Sequence, residues 1–406
     1  MSARQERLRI CVVGDLEGPH THRWVRCFVE LGHDVHAVSF YEPLRPPPGI
    51  RVHVLAPSTF SRLEARRPRL ELRTSRGQRW PASVSPSLWR LVNAGRYWRR
   101  GLGRTIGEIA PDVLHAHFVV EHGFYAALVG YHPYVVTAWG SDILVEAARS
   151  PLARAIARFA LRRADLVTSN NAHMAERIRA LGVPADRLSV ITLAVDRSFL
   201  EQATTSANLS PEGLAPPTVV SLRSLDSPLY NVDAILRAMA LVKRDRPEAR
   251  LIVAGQGRLR PSLEGLAADL GLGGNVRFVG QLGREELVRT LTSAHVYVSV
   301  PRSDATAVST LEAMGAGCFP ILSDLPSQRE LVDDGVNGLR VPVGDASALA
   351  RAIVRALDDG DLRQRAAEEN RRFVRERMVQ EDHMAEMERW YYRLARATDP
   401  EPGTAD

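Results

Sequence analysis

Short apolar segments alternate with longer amphipathic segments along most of the chain, and this alternation constrains the fold more than any other feature. In the first half, strand candidates lie at residues 8–13, 34–39, 52–55, 112–115, 134–137, 166–169 and 188–191, with helical stretches between them. Short apolar strands that alternate with helices favour a parallel sheet covered by helices on both faces. The predicted fold class is therefore α/β, with doubly wound, Rossmann-like parallel sheets.

The alternation is repeated in the second half, after a polar stretch that ends in Pro216-Pro217 and has the composition of a linker. The second set of strand candidates is residues 218–222, 250–254, 276–279, 295–300, 319–322 and 339–341. The predicted division is a first domain at 1–200, a linker at 201–217, a second domain at 218–378, and a C-terminal helix with a disordered tail at 379–406. Two such sheets are expected to face each other across a cleft, with ligands at the carboxyl ends of the strands.

The pattern of apolar residues and cysteines predicts a cytoplasmic protein. No apolar run approaches the roughly 18 residues that span a bilayer, and the opening MSARQERLRICVVG enters a strand without a signal-peptide core. Cys11, Cys27 and Cys318 are scattered, which fits buried thiols in a reducing compartment better than a disulfide framework.

Residues 60–104 carry twelve arginines against Glu64 and Glu71, with several aromatic residues between them. Such a segment could meet anionic lipid at the inner face of the membrane, or a polyanionic acceptor. The alternative is a solvated surface with an amphipathic helix whose aromatic residues pack inward. Nucleic acid is not expected as a partner, because no recognisable nucleic-acid module accompanies the charge.

The most informative motif is VYVSVPRSDATAVSTLEAMGAG at residues 296–317. A strand is predicted to end before a polar turn that holds Asp304, and a helix that carries Glu312 is predicted to start near Thr306. Free amides at a helix start attract phosphate, and the two carboxylates could accept hydrogen bonds from sugar hydroxyls. The layout favours a nucleotide-sugar. The alternative is a loop acid that caps the helix and a surface glutamate.

Three other positions in the second half follow predicted strands. Arg223 stands at the end of residues 218–222, where it suits a diphosphate or a surface ion pair. Gly257, in the tight turn Gly255-Gln256-Gly257, is a candidate for a phosphate loop. Gly280 could let a flat base lie against the backbone.

In the first half, Gly14 and Gly18 permit close backbone approach after the first strand. His115 and His117 stand two residues apart, but no acidic or cysteine partner at useful spacing supports a metal site. One of these histidines is expected beneath the sheet and the other at the cleft. Asp142 could accept from a sugar hydroxyl or cap the next helix.

These motifs together resemble the retaining glycosyltransferases of family 4, which have the GT-B architecture. The resemblance spans residues 8–357. The family's hallmark is a glutamate, seven residues and a second glutamate, and here Asp304 replaces the first glutamate while Glu312-Ala313-Met314 matches the second. The segments VRFVGQL, AHVYVSVPRSD, ADLVTSNNAHMAERI and LSVITLAVD also match the family.

The resemblance implies a donor site in the second half. It assigns Glu312 to the ribose hydroxyls, Asp304 to the hydroxyls of the donor sugar, and Arg223 to the diphosphate. Three amides at the helix start would also face the diphosphate, those of Ala307, Val308 and Ser309. The lysine that the family usually places shortly after the arginine is missing, and Tyr230 stands at the equivalent place.

In the first half, the resemblance places His20 and the loop from Gly14 to Gly18 at the family's glycine-rich loop. Trp139 and Asp142 stand where many members have a histidine near the reacting sugar, and His117 is the candidate for its partial replacement.

The resemblance implies a retaining glycosyltransferase that moves a sugar from a nucleotide-sugar to an acceptor hydroxyl in glycan, glycolipid or small-molecule glycoside biosynthesis. No cofactor and no metal are expected at the phosphates. Two other functions compete with this prediction. One is a sugar-nucleotide epimerase on the same fold, and the other is a catalytically weak binding or scaffold subunit.

Overall fold

A computed structural model describes residues 6–40, 42–43, 45–55, 90–91, 95, 101–207 and 216–398. The chain forms two compact units. The first unit contains Met1–Ile191 and Met384–Asp406, and the second contains Thr192–His383. Most of the arginine-rich segment 60–104 lies outside the described residues, as do residues 399–406 of the predicted tail.

The first unit is built on a seven-stranded sheet with the order β3-β2-β1-β4-β5-β6-β7. Its strands are β1 Arg9–Val13, β2 Asp34–Ser39, β3 Arg51–Val54, β4 Val113–His117, β5 Tyr134–Thr137, β6 Leu166–Ser169 and β7 Leu188–Val190. All six neighbouring pairs are parallel. The central strands β4 and β5 are buried along their whole length, as expected for a parallel sheet covered on both faces, and β4 buries His115 and His117 with its apolar residues.

Helices cover this sheet. The α-helices described in the first unit are α1 Pro19–Glu30, α2 Leu102–Ile109, α3 Phe124–Val129, α4 Ala147–Arg149, α5 Pro151–Arg163 and α6 Ala172–Arg179. Two π-helical segments, Val119–Gly123 and Ser141–Glu146, follow β4 and β5, and a 3₁₀ turn spans Ala185–Arg187. Ser150 caps α5 by accepting the amide of Ala153 at 3.2 Å, and Pro151 occupies its first turn.

The second unit contains a six-stranded parallel sheet with the order β10-β9-β8-β11-β12-β13. Its strands are β8 Thr218–Leu222, β9 Arg250–Ala254, β10 Val276–Gly280, β11 Val296–Ser299, β12 Phe319–Ser323 and β13 Leu339–Val341. Its helices are α7 Arg197–Ala207, α8 Val232–Asp245, α9 Arg260–Asp269, α10 Arg284–Ser293, α11 Val308–Ala316, α12 Ala346–Asp358 and α13 Gly360–Arg377. A 3₁₀ turn at Pro228–Tyr230 precedes α8.

The last helix, α14 Gln380–Thr398, begins in the second unit and continues in the first. In the first unit it is anchored by buried side chains. Tyr391 packs against Phe28 with ring centroids 4.9 Å apart, and the hydroxyl of Tyr392 donates to the backbone oxygen of Glu6 at 2.7 Å.

The predicted fold class, two doubly wound parallel sheets, is confirmed. The division of the chain differs in position from the predicted bounds at 200 and 218. The chain enters the second unit at Thr192, and α7 occupies part of the stretch predicted as a linker. The helix forms there because Phe199, Leu200 and Ala203 supply an apolar face that is buried in the core of the second unit.

In the part of the chain that the structure describes, no helix combines the length and the apolar character that a membrane span requires.

Candidate functional site

In the second unit, the candidate site lies at the carboxyl ends of β8 and β11, two strands that pair side by side. Arg223 directly follows β8. The loop after β11 carries Asp304 and leads into α11, which holds Glu312. Parallel strands bring the residues that follow them to one edge of the sheet, so the predicted Arg223, Asp304 and α11 belong to one region.

Arg223 and Asp304 form an ion pair between the guanidinium and a carboxylate oxygen. Their side chains are only 8% and 15% exposed. Nε of Arg223 also donates to Oγ of Ser299 at 2.7 Å, which fixes the guanidinium plane. Burial acts to lower the pKa of Arg223, but Asp304, Tyr297 and Tyr230 act in the opposite direction, and together they raise the pKa. The arginine is therefore permanently charged and largely shielded from solvent.

The Asp304 loop is held by two buried side chains that the sequence analysis did not single out. Oγ of Ser327 donates to the backbone oxygen of Asp304 at 2.8 Å, and Nε2 of Gln328 donates to that of Ala305 at 3.0 Å. Both side chains are about 1% exposed. Oδ1 of Asp304 accepts from the amide of Ala305 at 3.0 Å, so the carboxylate has a defined orientation.

Helix α11 begins at Val308, two residues after the predicted start near Thr306. Ala307 is its N-terminal cap and provides no side-chain acceptor, and no acidic residue lies in the first turn. A helix start of this kind keeps its positive end available to an anion. Ala307, Val308 and Ser309 lie at this start as predicted, and Ser309 is held by Tyr297 through a 3.0 Å contact between hydroxyls.

Glu312 lies one turn into α11, where its side chain is half-buried. Its neighbours Leu311 and Ala313 are buried in the core of the second unit. The helix is thus fixed by packing while Glu312 remains partly accessible.

Tyr230 lies beside Arg223, with the guanidinium carbon 5.3 Å from the ring centroid. It ends the 3₁₀ turn that precedes α8. Asn231, the next residue, adopts a left-handed conformation with φ of 57° and donates from Nδ2 to the backbone oxygen of Val300 at 3.2 Å. This bond ties the Tyr230 turn to the end of β11, which explains how a tyrosine at this position reaches the arginine.

The glycines of the second unit have a packing role that the sequence analysis did not predict. A Cβ on Gly255 would lie 2.0 Å from the backbone oxygen of Arg223, and one on Gly257 would lie 2.1 Å from the carbonyl carbon of Leu225. These glycines therefore let the loop after β9 contact the loop after β8. Gly280, with φ of 76°, accepts the amide of Gly255 at 2.7 Å. The predicted contacts of Gly257 with phosphate and of Gly280 with a base stay predictions.

In the first unit, the loop after β1 leads into α1. A Cβ on Gly14 would lie 3.2 Å from the Thr21 side chain and 3.4 Å from that of His117, so the glycine permits close packing. Gly18 is the N-terminal cap of α1. His20, in the first turn, stacks on Trp139 with ring centroids 4.9 Å apart. The structure thus brings together the predicted Gly14, His20, His117 and Trp139.

His115 and His117 are both buried, at 0% and 1% exposure. The expected placement of one beneath the sheet and the other at the cleft stays a prediction. Nδ1 of His117 lies 3.1 Å from Oγ1 of Thr21. Its Nε2 is buried and has no hydrogen-bond partner among the described residues. Burial lowers the pKa of His117 well below its usual range, and His115, His122 and His20 act in the same direction. The imidazole is therefore neutral at physiological pH.

Asp142 is fully buried, and its carboxylate accepts backbone amides. Its partners are Val119 at 2.9 Å, Gly140 at 2.9 Å, Ile143 at 3.1 Å and Trp139 at 3.2 Å. Burial raises the pKa of Asp142 to about 6, although the amides act against the shift. These contacts hold the backbone around Asp142, which is itself the second residue of the π-helical segment Ser141–Glu146. The predicted contact of Asp142 with a sugar hydroxyl stays a prediction.

Within the described ranges, no group of three or more histidine, cysteine or acidic side chains is placed to hold a metal ion.

Two family profiles match the chain. The profile described as "Glycosyl transferase 4-like domain" matches residues 17–194, and "Glycosyl transferases group 1" matches residues 210–373. The phosphatidyl-myo-inositol mannosyltransferase of Mycolicibacterium smegmatis is 31% identical over 147 residues, which are 36% of this chain and 37% of that protein. The alpha-D-kanosaminyltransferase of Streptomyces kanamyceticus is 26% identical over 229 residues, or 55% of this chain and 59% of that protein.

Among solved structures, Anabaena HepE in complex with UDP-glucose superimposes with a TM-score of 0.72 at 16% identity, covering 96% of this chain and 100% of that chain. This likeness shows the fold. The matches to the two curated relatives span only 37% and 59% of their own lengths. The first profile matches residues of the first unit and the second profile matches residues of the second unit. The chain belongs to family 4 of the glycosyltransferases, with the GT-B fold.

Proposed function

We propose that the protein transfers a sugar from a nucleotide-sugar donor to an acceptor hydroxyl, with retention at the anomeric carbon. One observation carries the proposal: a buried, oriented arginine lies at the same sheet edge as the uncapped start of a helix that bears Glu312. A cation beside free helix amides suits a diphosphate. The crystal structures of HepE with UDP and with UDP-glucose support the same class of ligand on this fold.

The donor is assigned to the second unit. Its diphosphate would contact Arg223 and the amides at the start of α11, while Glu312 would accept from the ribose hydroxyls. Asp304 would accept from the hydroxyls of the sugar. This division follows from charge, since carboxylates repel phosphate but accept strongly from hydroxyl groups.

The chemistry follows from where charge develops. Departure of the nucleoside diphosphate places negative charge on its phosphates and positive charge on the anomeric carbon. Arg223 and the α11 amides would stabilise the negative charge on the phosphates without reorganisation, because Ser299 and Asp304 already fix the guanidinium. We propose that the positive charge of this arginine and helix replaces a divalent metal. Retention would follow if the acceptor attacks from the side that the diphosphate leaves.

The acceptor is assigned to the carboxyl edge of the first sheet. His117 has a neutral, buried imidazole whose Nε2 lacks a partner among the described residues. A hydroxyl group of the sugar acceptor would supply the missing hydrogen bond. Trp139 and His20 offer stacked aromatic faces. Asp142 fixes the backbone that carries Trp139, because its carboxylate accepts the amides of Trp139 and Gly140.

The names of the relatives suggest the kind of biosynthesis in which the protein takes part. The relatives named above act, by their names, on a phosphatidylinositol lipid and as an aminosugar transferase, so we propose a role in glycan, glycolipid or small-molecule glycoside biosynthesis. Contact of residues 60–104 with an anionic membrane at the cytoplasmic face stays a prediction from sequence. Co-sedimentation with anionic vesicles that weakens with salt, and far weaker binding to neutral vesicles, is its test.

The experiment that tests the function is a calorimetric screen of nucleoside diphosphates and nucleotide-sugars, followed by assay of sugar release and transfer. Arg223→Gln should abolish nucleotide binding. The matched control is Arg329→Gln, which breaks an exposed bidentate pair with Asp324 in the same unit and should bind normally. A folded Arg223→Gln variant with wild-type nucleotide affinity would overturn the assignment of the donor site. Binding without turnover across a broad acceptor panel would leave only a binding subunit.

A further inference from the structure

Tyr391, on the part of α14 that belongs to the first unit, is fully buried and makes two side-chain hydrogen bonds. Nε1 of Trp24 donates to its hydroxyl oxygen at 3.2 Å. The same hydroxyl lies 2.5 Å from Nδ1 of His115. Residues from the first and last parts of the chain thus share one buried polar group.

These contacts fix the direction of every proton in the chain of bonds. An indole N–H can only donate, so the oxygen of Tyr391 accepts from Trp24. The hydroxyl proton then goes to Nδ1 of His115. That imidazole must carry its own proton on Nε2, which donates to Oγ1 of Thr137 at 2.7 Å.

The other tautomer of His115 is disfavoured by hydrogen-bond accounting. With the proton on Nδ1, the tyrosine oxygen would receive two donors, and its own hydroxyl would find no acceptor among the described residues. An unpaired hydroxyl in a dry interior is costly. Burial also lowers the pKa of His115 to about 3, so the imidazole is neutral and holds one tautomer. Beyond it, Thr137 contacts Oγ1 of Thr168 at 2.5 Å, which ends the chain of bonds on β6.

The two rings that Tyr391 fixes lie against residues assigned above to the acceptor. His115 packs edge-on against His117 with centroids 4.7 Å apart. Trp24 packs edge-on against His117 at 5.3 Å and against Trp139 at 5.8 Å. Rotation of either ring would therefore move the side chains at the sheet edge.

We propose that Tyr391 is a positioning residue for the reaction, which orients Trp24 and His115 and through them His117 and Trp139. The proposal rests on the proposed function, because it assumes that the edge of the first sheet takes part in transfer. It adds a role for α14, which supplies the hydroxyl that binds both Trp24 and His115.

The test is Tyr391→Phe, which keeps the ring and removes the hydroxyl. Tyr392→Phe is the matched control, because the hydroxyl of this neighbour on the same helix donates to the backbone oxygen of Glu6 and, among the described residues, to no ring of this network. Nitrogen NMR of His115 should report one Nε2–H tautomer in the wild type and in Tyr392→Phe. In Tyr391→Phe the tautomers should mix.

Kinetics separate positioning from a merely structural role. The probe is the nucleotide-sugar that binds best in the donor screen, and the reaction is transfer of its sugar to the best hydroxyl acceptor of the acceptor panel. Tyr391→Phe should lower kcat by about tenfold, since small misplacements at a reaction centre reduce rates strongly. Its KM for the donor and its affinity for the nucleoside diphosphate should remain within about twofold of the wild type, because the donor is assigned to the second unit.

A lower melting temperature with unchanged kcat would overturn the proposal and leave Tyr391 as a structural residue. An unchanged His115 tautomer in Tyr391→Phe would overturn it as well. Failure of the proposed function looks different, because the wild type itself would then neither bind nor turn over a nucleotide-sugar while the His115 tautomer remained measurable.

Discussion

Arg223 and Asp304 are 81 positions apart in the chain, yet their side chains form a buried ion pair at one edge of the second sheet. The same two residues were predicted to contact different parts of one ligand. The pairing means that an anion arriving at Arg223 meets a guanidinium that already has a negative partner. Buried charges interact strongly because water screens them little. The ion pair is thus expected to set how tightly the diphosphate binds.

Asp304→Asn should tighten binding of the bare nucleoside diphosphate by about fivefold, or roughly 1 kcal/mol, because it removes the competing negative charge. Sugar transfer should fall, because the asparagine amide accepts hydrogen bonds from the hydroxyls of the bound sugar less strongly than the aspartate carboxylate does. Calorimetric titration and turnover assays check both effects. Asp324→Asn, which removes the partner of an exposed arginine in the same unit, is the control and should change neither. Weaker nucleotide binding in Asp304→Asn would contradict this account of the pair.

Glu312→Gln should weaken nucleotide binding by roughly ten- to a hundredfold. The amide keeps the shape of the side chain but loses a charge-assisted acceptor for the ribose hydroxyls, which costs about 1.5–3 kcal/mol. The fold should survive, because Glu312 is half-buried while the core residues of α11 stay in place. Calorimetry with melting temperatures in parallel is the measurement. The control is Glu264→Gln, a helix-surface glutamate paired with Arg260, and equal affinities of the two variants would remove the ribose assignment.

Gly257→Ala should destabilise the second unit by about 2–4 kcal/mol. Its φ of 155° strains an L-residue, and the new methyl group would collide with the backbone at Leu225. Gly265→Ala is the matched control, since a Cβ there, inside α9, would meet no described atom within 4 Å apart from its chain neighbours and the helix backbone. It should stabilise by about 0.5–1 kcal/mol. Calorimetric unfolding distinguishes them. A Gly257→Ala variant as stable as the wild type would show that the two loops do not need this close approach.

The sequence was sufficient to predict the two parallel sheets and the residues that follow their strands. Apolar runs such as β5 and β11 can be recognised because both faces of these strands are buried. Arg223, Asp304 and the start of α11 could be assigned to one region, because residues that follow neighbouring parallel strands lie at the same edge of the sheet. The ion pair itself could not be predicted, because it depends on the rotamers of two side chains and on Ser299 beneath them.

The packing partner of the last helix was also beyond prediction. The apolar face of α14 indicates that the helix is packed, but it does not say against which sheet. The indole of Trp24 and the imidazole of His115 decide this, because their polar atoms need the hydroxyl of Tyr391. The π-helical segment after β5 depends similarly on the backbone amides that Asp142 collects, which no local pattern reveals.

Activity should persist in excess chelator. Arg223 and the α11 start supply positive charge at the proposed diphosphate site, and hard cations need oxygen-rich clusters. Such clusters were not found among the residues that the structure describes. Turnover of the best donor is measured after exhaustive treatment with EDTA. Loss of turnover that magnesium or manganese restores would contradict the proposed metal independence.

Stability should fall in acid with a contribution from His115. Burial holds its pKa at about 3 in the folded protein, below the ordinary value of 6.5. A lowered pKa means that the unfolded chain binds the proton first, so the stabilising contribution is complete above pH 6.5 and is lost as pH falls toward 3. The slope is about 1.4 kcal/mol per pH unit in that window.

His115→Phe removes this titration and keeps an aromatic ring among Trp24, His117 and Tyr391. The variant should be less stable at neutral pH, because the hydroxyls of Tyr391 and Thr137 each lose one of their two hydrogen-bond partners. Its stability should then decline less steeply than that of the wild type between pH 6.5 and pH 4, while His117 titrates in both proteins. Urea unfolding at a series of pH values measures the difference. Curves that stay parallel below pH 6.5 would mean that His115 is not held neutral by the fold.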